Sequence, residues 1–149
     1  MDKTEDSMNW LDLSRAWPKG ATSNLGRTHM DIGYADNHPG VEQFVMPGVK
    51  LDVRAAAAAG HIGLADVDPE SPALLSASEG RAVVFDTGWE AYAASPQYDR
   101  CPDIDYDLVD ALIDRGAKLL MVDSPGLYGG ARSDRHSEMD LHVVDRGAI

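Results

Sequence analysis

A chain of 149 residues, 44% of them hydrophobic, is long enough for one domain with a real core and too short for two ordinary ones. Thirteen Lys and Arg against 25 Asp and Glu give a formal net charge of -12, which repels phosphates at long range. That balance excludes nucleic acid and anionic membrane surfaces as partners and leaves a small molecule or a protein.

In chain order, residues 1–9 are a polar, acidic lead with no apolar segment behind a basic start, so a single domain is expected over residues 10–149. No run approaches the about 18 apolar residues of a membrane span, and a cytoplasmic location follows as the expectation. Residues 10–14 read as a short strand, with Leu11 and Leu13 on one face and Asp12 and Ser14 on the other. Pro18, Gly20 and Ser23 then break the chain before Thr28-His29-Met30-Asp31. If that segment is extended, His29 and Asp31 point the same way, because side chains alternate across a strand. A ring nitrogen and a carboxylate oxygen would then face a divalent metal or a substrate proton. The same pair is also an ordinary solvated polar face, and it needs further ligands before it makes a site. Asp36, Asn37 and Pro39 mark a loop that carries His38, expected to be exposed.

Val49, Leu51 and Val53 recur at period two and predict a half-buried strand entered through the Pro47-Gly48 turn. The alanines of residues 55–59 are too few for a helix that is stable by itself. His61, among apolar neighbours, is expected to pack or to lie at the surface. Asp68 before Pro69 predicts a capped helix over residues 69–76 with Ala73, Leu74 and Leu75 inward. Ala82-Val83-Val84-Phe85, bounded by Gly80 and by Asp86-Thr87-Gly88, suits a strand covered on both faces. Over residues 105–115, Leu108, Val109 and Leu112 form one helical stripe, and Gly116 is the stop. Residues 118–122 read as a second buried strand, which makes a parallel β-α-β unit. Ligands in such sheets bind at the carboxyl ends of the strands, so Asp86-Thr87-Gly88-Trp89 and Asp123-Ser124-Pro125-Gly126 are expected to border a pocket. Trp89 suits either a pocket wall or a core position. Cys101 reads as an ordinary thiol, and Gly126 to Gly130 lacks the Lys-Ser/Thr of a phosphate loop. Asp103, Asp105 and Asp107 read as a helix N-terminus and its solvated edge. Asp145-Arg146-Gly147-Ala148 repeats Asp114-Arg115-Gly116-Ala117, so a helix should end near Arg146 and a strand begin at Ile149.

This order of pieces resembles the cyclase family that includes bacterial kynurenine formamidase, trans-dienelactone hydrolase-like proteins and isatin hydrolase. The resemblance runs from Trp10 to the end. It rests on Leu11-Asp12-Leu13-Ser14, on Ala82 to Trp89 with its Thr-Gly-Trp ending, on Tyr98 and Pro102, on Arg115-Gly116 before the strand ending in Asp123-Ser124-Pro125, and on His136. It implies an α/β fold, the family's swivelling β/β/α domain, with a mixed sheet containing the parallel β-α-β unit, usually dimeric or larger. The family's metal signature is H-x-G-T-H-x-D-x-P-x-H. Thr28, His29 and Asp31 match its centre, whereas Leu25, Arg27, Gly33 and Ala35 stand at the first His, the Gly, the Pro and the last His. A further family carboxylate falls beyond Ile149, so the domain reads as shortened at its C-terminus.

Three readings follow. The first is a small-molecule amide or lactone hydrolase using water activated by zinc or manganese, with His29 and Asp31 as ligands and His136 as ligand or proton donor. The second drops the metal: His29, oriented by Asp31, acts as acid or base in a cyclisation, elimination or isomerisation of secondary metabolism, with substrate held by Arg27, Tyr34 and Trp89. The third is a non-catalytic member that binds a ligand or a partner subunit. Arg27, a fixed positive charge in place of a small residue, predicts weak or lost metal binding. A shortened sheet leaves an unpaired edge, which predicts a homodimer.

Overall fold

The computed structural model describes residues 41–76, 80–129 and 134–149. Its strands are β1 (Gly48–Asp52), β2 (His61–Ile62), β3 (Ala82–Asp86), β4 (Asp103–Ile104) and β5 (Leu119–Val122). Its α-helices are α1 (Arg54–Ala57), α2 (Pro72–Ser76), α3 (Tyr106–Asp114) and α4 (Asp134–Asp145). Strands β1, β3 and β5 form one sheet in the order β1-β3-β5, and β2 pairs with β4 in a second. Every pairing among the described residues is parallel, so no antiparallel member of the expected mixed sheet lies among them.

The expected α/β class and the parallel β3-α3-β5 unit are both present. Strand β3 is central, and an apolar run without alternation is what a strand covered on both faces requires. Val83 and Phe85 are fully buried. At the edge, β1 alternates instead: Leu51 is buried while Lys50 and Asp52 face water. Helix α3 turns Leu108, Val109 and Leu112 onto the same core, all fully buried. Burying one such aliphatic side chain stabilises by about 1.5–3 kcal/mol, so this stripe, rather than helix propensity, holds α3 in place. Strand β5 is less covered than expected, with only Leu119 fully inside.

The repeated Asp-Arg-Gly-Ala sequence has one structural meaning. Gly116 has φ +95°, its N–H reaches the Ile113 carbonyl at 2.8 Å, and the Ala117 N–H reaches Leu112 at 3.0 Å. Gly147 has φ +83°, its N–H reaches Val144 at 2.9 Å, and Ala148 reaches Val143 at 3.1 Å. Both are Schellman exits, in which a left-handed residue, costly for any side chain, closes the last carbonyls. Each exit delivers the chain to the sheet. The Ile149 N–H donates to Lys118 at 2.9 Å, and its carbonyl accepts the Leu120 N–H at 2.7 Å, the pattern of a strand beginning beside β5.

Helix α2 begins three residues later than predicted. The Asp68 carboxylate accepts the Glu70 N–H at 2.9 Å and closes a turn, after which Ser71 accepts from Leu74 at 3.4 Å and Pro72 opens the helix. Leu74 is buried but Leu75 is 60% exposed, a correction to the inward position expected: successive helical residues diverge by about 100°, and this one-and-a-half-turn helix meets the core on the Leu74 side only. The alanines form the one-turn α1, with Ala57 buried against the core. Helix α4 packs through Met139 and Val143 and pairs with α3 through His142 to Asp110 at 2.7 Å and Arg146 to Asp110 and Asp114. No helix among the described residues is long and apolar enough to cross a membrane.

Candidate active site

Parallel strands deliver their carboxyl ends to one edge. Asp52 pairs in register with Asp86, and Phe85 pairs with Val122, so Asp86 and Asp123 are the residues reached as the buried runs of β3 and β5 emerge. Three carboxylates at one edge repel one another unless each is answered. Asp52 is answered by Arg54, whose Nε donates at 2.9 Å, whose Nη2 makes a second close bond and whose backbone N–H donates at 3.2 Å. The Arg54 hydrogen bonds hold the Asp52 carboxyl down at about 2. Asp86 pairs with Lys50 at 2.7 Å and lies 3.9 Å from Arg54 Nε.

Asp123 is answered by backbone. It accepts the Thr87 N–H at 3.0 Å, the Thr87 hydroxyl at 2.5 Å and the Gly88 N–H at 2.8 Å, which ties the β3 loop to the end of β5. It is also hydrogen-bonded to Glu90. That bond, followed by burial, raises the Glu90 carboxyl above its ordinary value. Burial pushes Asp123 upward, but the bonds from Glu90, Thr87 and Gly88 outweigh it and leave Asp123 the more acidic partner.

Gly88 makes this corner feasible. Its φ of +70° is left-handed, and a Cβ there would meet Arg54 Cγ at 3.4 Å and Cδ at 3.5 Å. The next residue, Trp89, is pinned twice: its N–H donates to Thr87 Oγ1 at 3.1 Å, and its indole N–H donates to the Tyr98 carbonyl at 3.1 Å. Its ring lies 4.8 Å from that of Tyr92. Trp89 is half-buried and its polar edge is committed inside the protein, so it braces the loop as well as bordering the strand ends.

Of the residues assigned a catalytic, metal-binding or substrate-binding role from the sequence, Trp89 alone can be placed in full. Arg27, His29, Asp31, Tyr34 and His38 lie outside the described residues. His136 sits on α4, but its side chain is outside them too. His61 is at the surface, paired at 2.8 Å with Asp105, whose carboxylate turns to the histidine rather than capping α3. Asp103 accepts the Gly129 N–H at 2.7 Å, a structural duty beyond the solvated edge expected of it. Cys101 is buried with its sulfur 3.8 Å from the Gly126 carbonyl, an ordinary packed thiol. Sequence reasoning missed Arg54 and Glu90. The available signal was an Asp closing each of three apolar strands, which calls for nearby cations or donors.

The resemblance implies a divalent metal, and the donor set tests this. Among the described residues no three His, Cys, Asp or Glu side chains are arranged to hold a metal ion. Asp52 and Asp86 are bound to cations and Asp123 to N–H and O–H donors, so these strand-end carboxylates do not fit a metal centre. The ligands assigned from the sequence, His29 and Asp31, lie outside the described residues.

No curated protein and no solved structure matches the chain. One family model does, the one described as "Putative cyclase", over residues 14–127, which takes in both strand-end loops and stops short of α4 and His136. That match covers well over half of the sequence, and the chain belongs to the cyclase family.

Proposed function

We propose that this protein is an enzyme acting on a small amide or lactone, hydrolysing it at the carboxyl ends of β1, β3 and β5. The observation that carries this reading is the bonding of Thr87 and Gly88 to Asp123. It locks two loops side by side at the edge where open parallel sheets bind ligands. His29 and Asp31, two residues apart, are the groups assigned to move the proton of the attacking water, with His136 assisting. Arg27, Tyr34 and Trp89 are assigned to hold the substrate.

The metal question divides this proposal in two. Zinc or manganese, if held by His29 and Asp31, supplies a hydroxide near neutral pH. The engagement of Asp52, Asp86 and Asp123 by other partners favours the metal-free version, in which His29 is the base and the same site also suits a cyclisation or elimination. Incubating purified protein with aryl formamides and aryl lactones, alongside metal analysis, tests both. Turnover with metal well below one equivalent per chain supports the metal-free version; near one equivalent of tightly bound metal refutes it. Loss of turnover in His29→Ala is expected in either case, and undiminished turnover removes the case for catalysis at His29. The homodimer belongs to the same proposal, and a monomer by light scattering at micromolar concentration refutes it.

A further inference from the structure

We propose that His61 and Asp105 form a pH-sensitive latch on the first turn of α3: the protonated imidazole holds the Asp105 carboxylate off the helix, and the neutral one releases it to cap. Asp105 is the N-cap residue of α3, with the extended backbone of that position (φ -72°, ψ 150°) and a side chain of the kind that caps best. Its carbonyl already accepts the Val109 N–H at 3.1 Å, the first bond of the helix. Its carboxylate nevertheless makes no cap, and Oδ2 lies 2.8 Å from His61 Nε2 instead. Gly63 leaves the carboxylate room to swing, since a Cβ there would stand 3.2 Å from Asp105 Oδ2.

Two modest interactions compete for one carboxylate. The His61 side chain is 59% exposed, so its pairing with Asp105 is screened by water. A carboxylate cap would satisfy N–H groups that the helix itself leaves unpaired and would meet the positive end of its dipole. While the ring is charged, the ion pair holds; once the proton leaves, only a neutral hydrogen bond is set against the cap. The charged groups around the ring are carboxylates. From β4 it faces Asp103, its partner in register, which accepts the Gly129 N–H; beside Gly63 it faces Asp66, which accepts the Gly63 N–H; and α3 adds Asp107 to Asp105. Helix α1 packs against β2, but its charged residue, Arg54, is turned to Asp52. The latch adjoins the loop after β5: the Ile104 N–H donates to the Leu127 carbonyl at 2.7 Å, and the ring of Tyr106, the first residue of α3, meets that of Tyr128 edge-on at 5.6 Å.

The test follows the Asp107 and Leu108 amides of the full chain by nitrogen-15 NMR from about pH 5 to about pH 8, which spans the titration of an imidazole. In wild type both amide protons are expected to move downfield as pH rises, with the midpoint of the His61 ring protons. Their exchange with solvent, corrected for its intrinsic pH dependence, should slow by about 2- to 30-fold, the range that an N-cap is worth. In His61→Ala the two amides should sit at the high-pH wild-type position throughout. In Asp105→Ala they should stay at the low-pH position with no step. Amides that ignore the His61 titration, a step that survives in His61→Ala, or amides of that variant that remain at the low-pH position would each overturn the latch.

Discussion

The middle of the sheet and its carboxyl edge belong to the same strands and are held by opposite means. In the middle, Val83, Phe85, Leu108 and Leu112 are stabilised by removal from water, a non-directional effect to which each contributes largely by itself. At the edge, Asp52, Asp86, Asp123, Arg54 and Thr87 stabilise little as individuals and matter as partners. The comparison teaches that the same truncation should have different consequences in the two places. In the middle it leaves a hole; at the edge it leaves an orphan.

The largest effect should come from the middle. Phe85→Ala removes a fully buried ring from the central strand and is expected to cost about 3–5 kcal/mol in denaturant unfolding. A loss under about 1 kcal/mol would mean that the core closes around the hole, and the contrast with the edge would weaken.

An edge truncation should be smaller and differently distributed. Asp123→Ala strands the Thr87 and Gly88 N–H groups, and leaving buried donors unpaired costs about 1–3 kcal/mol. Faster hydrogen exchange at those two amides, with Val83 and Phe85 still protected, is the expected signature. Uniform acceleration would show that edge and middle open together. The two acids also respond to pH in opposite senses. Asp123 binds its proton more weakly when folded, so its contribution is present above 3.8 and lost as pH falls through its folded value. Glu90 binds its proton more tightly when folded, so its contribution is full below 4.5 and lost as pH rises through its folded value.

The contrast also explains what could be read from the sequence. Burial leaves a local trace, as alternation in β1, an unbroken apolar run in β3 and a helical stripe in α3, and the exits at Gly116 and Gly147 share one four-residue sequence, so all of these were legible from the chain alone. Pairing leaves no such trace. Nothing in Asp123 announces that its partners are 36 residues earlier at Thr87, or that its own carboxyl is lowered while that of Glu90 is raised. Those facts depend on the parallel register, which becomes visible only when β3 and β5 lie side by side. The start of α2 was misplaced for a related reason. Asp68 and Ser71 both have cap chemistry, and the Asp68 turn took the first position while Ser71 took the second. The metal motif stays at the level of sequence, since His29 and Asp31 lie outside the described residues.

The smallest effect sharpens the contrast most. Asp52 and Arg54 are both exposed, and an exposed pair contributes little to stability however short its hydrogen bonds, because solvent screens the charges and two long side chains must be held still. The pair should nonetheless be plain in titration. Carbon-13 chemical shifts of the Asp52 carboxyl should show a midpoint near 2, which Arg54→Ala returns toward 3.8 with no measurable change in unfolding free energy. The sign is fixed: a depressed folded value means that any contribution is present above 3.8 and lost as pH falls through about 2. If Arg54→Ala instead destabilised the protein as much as Asp123→Ala, the cation would be bracing the Gly88 turn through its stem, whose Cγ lies 3.4 Å from where a Cβ on that glycine would stand. The edge would then be partly held by packing, as the middle is.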